Sequence, residues 1–443
     1  MLNFLFHHTP LLYLTQSFWR DEAFSVLLSE RGLMSYFLVT FEPPLYYIFL
    51  HYWMKVFGES EIAVRSLSLV GYMLACLLVI QWSERIFRHH WLSWIFPIFF
   101  FFNPMLLYYA FEARSYAWYV FFIILSLSSY LERKWGKFII SGILGFYTHI
   151  YMITVIMVEV LHYILSNKIK FRAFKVALLM RDRFMQSICC ILFAIMPWLI
   201  KVCVDLARLN KSWYFPINIQ VLRSVIGNIF VGFDGTPSSL WSITALLSLI
   251  LCLFFFWAIR NRQRRNYIGL FFLTAFIPLM TTMGISLVKP VFVNRYVIAS
   301  TVAEVFLVIF AIETIRNPVL QKISVVLALA FIVGFNIWYP DKHAKLDIRS
   351  SILEVNTLLT PQDYIYADSP LIFFDSIYYS KDRSRVFFYE PKGTSFPWYV
   401  GDYIVNNSQI VSELPQYPSR AFLIKEDGSY TISYQTNIIN HRL

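Results

Sequence analysis

Two adjacent carboxylates, Asp21-Glu22, follow Trp19 and Arg20 just after the first apolar segment of the chain. Ionised acids beside lipid are costly unless they are paired or do chemistry, so this pair needs an explanation. The other charged residues that could join them come in short sets. These are Glu42-Pro43-Pro44, Gly58-Glu59-Ser60-Glu61 with Arg65, Glu112-Ala113-Arg114-Ser115-Tyr116, Lys289-Pro290 with Arg295-Tyr296, and His149 between two short apolar runs. Acids and bases of these types suit proton transfer and the holding of an anion. Each also has a plain structural use: an acidic helix start for Asp21-Glu22, snorkelling or ion pairing for the arginines, a loop bend at Pro43-Pro44, a core hydrogen bond for His149.

The elements that must position these groups are membrane helices. The chain has 443 residues, 58% of them hydrophobic and only 15% charged, with a mean hydropathy of +0.56. Apolar runs recur up to about residue 339. After the first segment the candidate spans are 62–83, 91–111, 115–131, 138–149, 150–165, 185–204, 240–259, 267–288, 296–315 and 323–339, about eleven crossings in all. The two runs meeting at His149 are short for full crossings and could be one long or broken helix. The first stretch carries His7, His8 and Pro10 and lacks a basic leader and a small-residue cleavage site, so it reads as a short or truncated first helix and not as a cleaved signal.

The net charge of +11 sorts by loop. One side collects Arg85 and Arg88; Arg133, Lys134 and Lys137; Lys168, Lys170, Arg172, Lys175, Arg181 and Arg183; Arg260, Arg262, Arg264 and Arg265; and Arg316 and Lys322. This is the positive-inside pattern, and it absorbs the basic excess that would otherwise suggest nucleic acid, which is excluded as a partner. Under this topology Leu45 to Phe57 is no crossing but an interfacial helix within one large outside loop, residues 19–61. A second outside loop spans 205–239, with Trp213, Tyr214, Phe215 and the turn Asp234-Gly235-Thr236-Pro237. The acids and cations named above then all fall on the outside, which marks that face as active. The five cysteines, Cys76, Cys189, Cys190, Cys203 and Cys252, lie in or beside apolar runs and read as core residues, with no zinc spacing or disulfide framework.

Residues 1–339 therefore read as a transmembrane domain and 340–443 as a small extracytoplasmic α/β domain. Its expected elements are an amphipathic helix at 349–359 and strands at 364–367, 385–389 and 421–424. The sequence shows no phosphate-binding glycine loop and no solenoid repeat.

Taken in order, Trp19-Arg20-Asp21-Glu22-Ala23-Phe24-Ser25, Pro43-Pro44-Leu45-Tyr46-Tyr47, Phe57-Gly58-Glu59-Ser60-Glu61 with Arg65-Ser66-Leu67, Glu112 to Tyr116, and Arg295-Tyr296 resemble the polytopic GT-C glycosyltransferases. The nearest branch is that of the protein mannosyltransferases and aminoarabinose transferases, and the likeness covers about residues 17 to 340. The resemblance implies transfer of a sugar from a polyprenyl-phosphate donor to an acceptor on the non-cytoplasmic face of a plasma or cytoplasmic membrane, with inversion. The acceptor could be a protein, a lipid glycan or a cell-wall polymer. A glycosyl phosphate already has a good leaving group, so one carboxylate base can suffice where glycoside hydrolysis needs two. Asp21 is the expected base, and Glu22 orients it, the acceptor or a cation. Arg114 and Arg295 come first as phosphate ligands, with Lys289 and Arg65 next; Arg65 could instead pair with Glu61. Glu42, Glu112, Tyr116, His149 and Tyr296 complete the expected substrate-binding set. No cofactor or metal is expected, since Asp21 and Glu22 alone do not make a metal site. The competing readings are a transporter or flippase for a lipid-linked or anionic solute, which should carry midplane charges on broken helices, and a silent scaffold whose outer domain binds a protein.

Overall fold

The computed structural model describes residues 2–31, 40, 42–87, 90–167, 182–205, 230–231, 236–398 and 400–436. Arg88, Lys168, Lys170, Arg172, Lys175 and Arg181 of the basic loops, and Trp213, Tyr214, Phe215 and Asp234-Gly235 of the second outside loop, lie outside the described residues. The chain forms two compact units. One comprises residues 1–13, 41–46 and 65–343; the other comprises 14–40, 47–64 and 344–443.

The first unit is helical. Among the described residues six helices are long and apolar enough to cross a membrane, and a seventh crossing is gained if the pair Leu92–Phe101 and Pro104–Ala110 counts as one. That pair bends by 56° where Asn103 accepts the amide of Leu106 and Pro104 starts the second helix with no amide of its own to donate. About eleven crossings were expected from the sequence. The difference lies in short apolar helices, Tyr116–Leu131, Trp135–Thr148 and Met152–Ser166, and in the seven-residue helix Leu2–His8. The two runs expected to meet at His149 are separate helices, because the chain turns extended at His149.

The helical segment Asn294–Glu313, which includes the helix Ile298–Glu313, runs through the core, its apolar stretch 83% buried against 11% for Pro318–Trp338. Phe271 stacks on Phe306 at 3.9 Å between ring centroids and Phe96 meets it edge-on at 4.5 Å. The outer helices instead expose large apolar side chains such as Leu253, Phe256, Val326 and Leu327, as lipid-facing surfaces do. Loops assigned to the same side meet: Arg85 and Lys134 both pair with Glu132 at 2.5 Å, and Arg264 with Glu313 at 3.1 Å. Two acids, Glu159 and Glu304, are buried within the apolar helices Met152–Ser166 and Ile298–Glu313. Glu159 is tolerated there because Ser126 donates to it at 2.8 Å.

The second unit is an α/β fold around a five-stranded sheet. Its strands are β1 (Tyr364–Ala367), β2 (Val386–Tyr389), β3 (Ile410–Val411), β4 (Ala421–Ile424) and β5 (Tyr430–Ser433), in the order β3-β2-β1-β4-β5. All neighbours are parallel except β4 and β5. Central β1 is buried along three of its four residues, as a strand covered on both faces requires. The helix Ile348–Leu358 starts where Asp347 accepts the amide of Ser350. Helix Pro370–Tyr379 connects β1 to β2 and packs against Arg20–Glu30, the helix that carries Asp21 and Glu22. Phe24 lies 5.7 Å from both Phe374 and Tyr403 between ring centroids. Gly401, at φ +124°, passes so close that a Cβ there would lie 2.5 Å from the Phe24 ring; only glycine fits. Arg31 donates to the carbonyls of Tyr403 (3.1 Å) and Ile404 (2.5 Å). Glu61 accepts from Arg349 at 2.9 Å and from the Tyr379 hydroxyl at 3.0 Å, and Glu30 pairs with Arg383 at 2.5 Å.

Asp363 ties β1 to β4. Burial works against its ionisation, but Arg420 at 2.6 Å and the amide and hydroxyl of Thr360 at 2.8 Å outweigh this and hold the carboxyl well below its usual range. A depressed folded value contributes stability above the unfolded value of about 3.9 that is lost as pH falls through the folded one. The melting temperature of the protein in detergent is therefore expected to drop below about pH 4, with Asp363→Asn flattening that acid limb.

Candidate active site

In the first unit the loop Glu112 to Ser115 sits between Pro104–Ala110 and Tyr116–Leu131, where it presents polar groups at helix ends. Its tight turn brings the Arg114 amide to 2.7 Å from the Glu112 carbonyl. Ser68 donates to the Arg114 carbonyl at 3.1 Å, and the Tyr46 hydroxyl lies 3.1 Å from Ser68, so the backbone of Arg114 is fixed on both sides. Its guanidinium reaches Glu42 at 3.2 Å; the Pro43-Pro44 bend thus delivers a carboxylate to this arginine. Arg114 is buried and Glu42 half-buried, so the pair is shielded from bulk water.

Arg295 arrives from the short 3-10 turn Asn294–Val297 that leads into the core helix Ile298–Glu313. Its Nε donates to the Tyr116 hydroxyl at 2.8 Å, and its guanidinium lies 5.9 Å from the Tyr296 ring. Arg114, Arg295 and Glu112 all act electrostatically on Tyr116, which places the cations and the acid around one hydroxyl. His149 stacks on Tyr119 at 4.7 Å and lies 5.5 Å from both Tyr116 and Tyr296. Tyr151 stands 5.2 Å from Tyr296 and Tyr109 stands 4.8 Å from Tyr116. Seven expected residues, Glu42, Glu112, Arg114, Tyr116, His149, Arg295 and Tyr296, are therefore gathered here. The cluster brings two buried guanidinium groups among tyrosines, groups of the chemistry that can bond a phosphate. Lys289 closes the last turn after Arg265–Ser286, and Arg65 is wholly buried in the second turn of Glu61–Phe87. Tyr109, Tyr119 and Tyr151 were missed in the sequence because single tyrosines in so aromatic a chain carry no signal.

In the second unit Asp21 and Glu22 occupy the first turn of Arg20–Glu30, where the helix dipole favours negative charge. Asp21 bonds Arg20 at 2.8 Å and keeps part of its surface open. Glu22 is wholly buried and bonds the Lys345 ammonium at 2.9 Å. Lys345 also lies 5.5 Å from the Trp19 ring, and its amide donates to Gln16. The adjacent acids are thus unlike: one is at a surface beside a cation, the other locked in an ion pair. Lys345 and the buried Asp375 of Pro370–Tyr379 were also missed. An acid in the apolar run Pro370-Leu-Ile-Phe-Phe-Asp375 could have been found by the argument that singled out Asp21.

No protein-family model matches the chain, and no curated protein matches it. Solved structures do. ArnT from Cupriavidus metallidurans in the apo state is 12% identical with a TM-score of 0.62, over 93% of this chain and 90% of that one. ArnT bound to undecaprenyl phosphate is likewise 12% identical with a TM-score of 0.60, over 94% and 90%. The chain has the fold of these structures: a helical membrane domain followed, in this chain, by a small C-terminal sheet.

Proposed function

We propose that this chain is a membrane glycosyltransferase that moves a sugar from a polyprenyl-phosphate donor to an acceptor hydroxyl on the non-cytoplasmic face, with inversion. The observation that carries the reading is the fold shared over nearly the whole chain with ArnT, one structure of which holds undecaprenyl phosphate. The gathering of Arg114 and Arg295 supports it further, since a transferase of this kind must hold a lipid phosphate. In the proposed step the acceptor oxygen attacks the anomeric carbon from the face opposite the phosphate. The bond from that carbon to the phosphate oxygen breaks, and its electron pair leaves with the polyprenyl phosphate. Arg114 and Arg295 stabilise the charge that grows there. Asp21 takes the acceptor proton, while Glu22 stays paired with Lys345 and fixes the start of the helix. The proposed step uses no metal, and the two acids face protein cations.

The test is transfer by the purified full chain in liposomes supplied with a panel of undecaprenyl-phosphate monosaccharides, lipid-glycan, peptide and polymer acceptors being offered in turn. The expected result is a glycosylated product of inverted anomeric configuration and release of undecaprenyl phosphate. The reading is overturned if no donor is consumed and undecaprenyl phosphate does not bind.

A further inference from the structure

Asp375 lies in Pro370–Tyr379 among Ile372, Phe373 and Phe374, is 2% exposed, and its Oδ1 makes no hydrogen bond among the described residues. The helix it belongs to packs directly on Arg20–Glu30. From that helix Arg20, Asp21 and Glu22 act on its carboxyl, and Lys345 acts from the segment before Ile348–Leu358. Ile348–Leu358 also packs on the Asp375 helix and brings Arg349 and Glu354, which are engaged by Glu61 at 2.9 Å and the Tyr430 hydroxyl at 2.9 Å. The neighbouring strands β1 and β2 bring Tyr364, Tyr366 and Tyr389.

The cations that act on Asp375 are already matched: Lys345 by Glu22 and Arg20 by Asp21. A further carboxylate ionised among them would be a buried charge without a counter-ion, the costliest arrangement available. The carboxyl therefore keeps its proton well above the usual carboxylate range, first because it is desolvated and then because Glu22 repels a second negative charge.

We infer that Asp375 is a positioning residue for the Asp21-Glu22 acids: a buried carboxylic acid on the helix packed against theirs that, while protonated, leaves Lys345 to Glu22 and Arg20 to Asp21. When it loses its proton, a third negative charge competes for the two cations and the acids are displaced. The inference rests on the glycosyl-transfer reading in taking Asp21 as the base.

The experiment compares wild-type full chain, Asp375→Asn and Asp375→Leu in liposomes, following transfer from undecaprenyl-phosphate monosaccharides against pH and the infrared carbonyl band of protonated carboxyls at neutral pH. Wild type should lose transfer on the alkaline side. Asp375→Asn, which cannot ionise, should keep transferring there and should lack one carboxyl band. Asp375→Leu, which cannot ionise either and removes no ligand of the phosphate, should likewise keep transferring on the alkaline side with undecaprenyl phosphate still bound. Stability should follow the same proton. A raised folded value contributes stability that is lost as pH climbs above the unfolded one, and Asp375→Asn removes that slope. Identical alkaline limbs in wild type and Asp375→Asn, or an unchanged carboxyl band, overturn the inference. If wild type transfers nothing, the glycosyl-transfer reading fails, while the infrared band and the stability slope still decide whether Asp375 holds its proton.

Discussion

Asp21→Asn is expected to transfer sugar about 10² to 10⁴-fold more slowly than wild type while binding undecaprenyl phosphate as tightly, because it deletes a proton acceptor and leaves shape and volume intact. The placement of Asp21 makes this a test of chemistry more than of folding. Its carboxylate is partly exposed at a helix start, and its Arg20 partner is the adjacent residue, so the asparagine still fills the site. Glu22 gives the contrast. Glu22→Gln weakens a wholly buried pair with Lys345 and should register mainly as lost stability, measured by denaturant or thermal melting in detergent. A normal kcat in Asp21→Asn would remove the proposed base, whatever Glu22→Gln does.

Arg295→Ala should lower kcat/KM by about 10 to 10²-fold and weaken undecaprenyl phosphate by a similar factor, the loss expected when charge-assisted hydrogen bonds worth about 1.5 to 3 kcal/mol disappear. Arg295→Lys restores the charge without the planar fork that bonds Tyr116, and should recover only part of the loss. The measurement is direct binding of undecaprenyl phosphate to liposome-embedded protein, alongside transfer rates. If Arg295→Ala binds the lipid phosphate like wild type, the tyrosine-lined arginine cluster is not its site.

Much of this architecture was legible in the residues because the physics behind it is local. Alternating and aromatic runs marked β1, β2 and β4, and the helix expected at 349–359 appears as Ile348–Leu358. By contrast β3 is two residues long, and β5, Tyr430-Thr-Ile-Ser, pairs only on one side, so neither carries a pattern that stands out from a loop. The arginine cluster was partly legible. Arg114 and Arg295 are rare charged residues beside apolar runs, and the pattern of loop charges led to the expectation that they share one side. What no local pattern encodes is pairing across long sequence distance. Glu22 with Lys345, Glu61 with Arg349 and Phe24 with Phe374 each join residues almost three hundred or more positions apart. Among the described residues six helices, or seven with the bent pair, are long enough to cross, against about eleven expected: hydropathy registers an apolar run, while helix length and the break at His149 depend on backbone geometry.

The packing of Arg20–Glu30 on Pro370–Tyr379 has a consequence for how the protein is made. A ribosome delivers residue 22 long before residues 345, 375 or 401, so during synthesis the acid helix exists without Lys345, without the Phe374 ring and without the glycine that lets Phe24 seat. Its final conformation must wait until the last quarter of the chain has emerged and folded. A prematurely ended chain can insert its helices and still lack correctly seated acids. The protein's first charged motif is therefore among the last of its parts to mature.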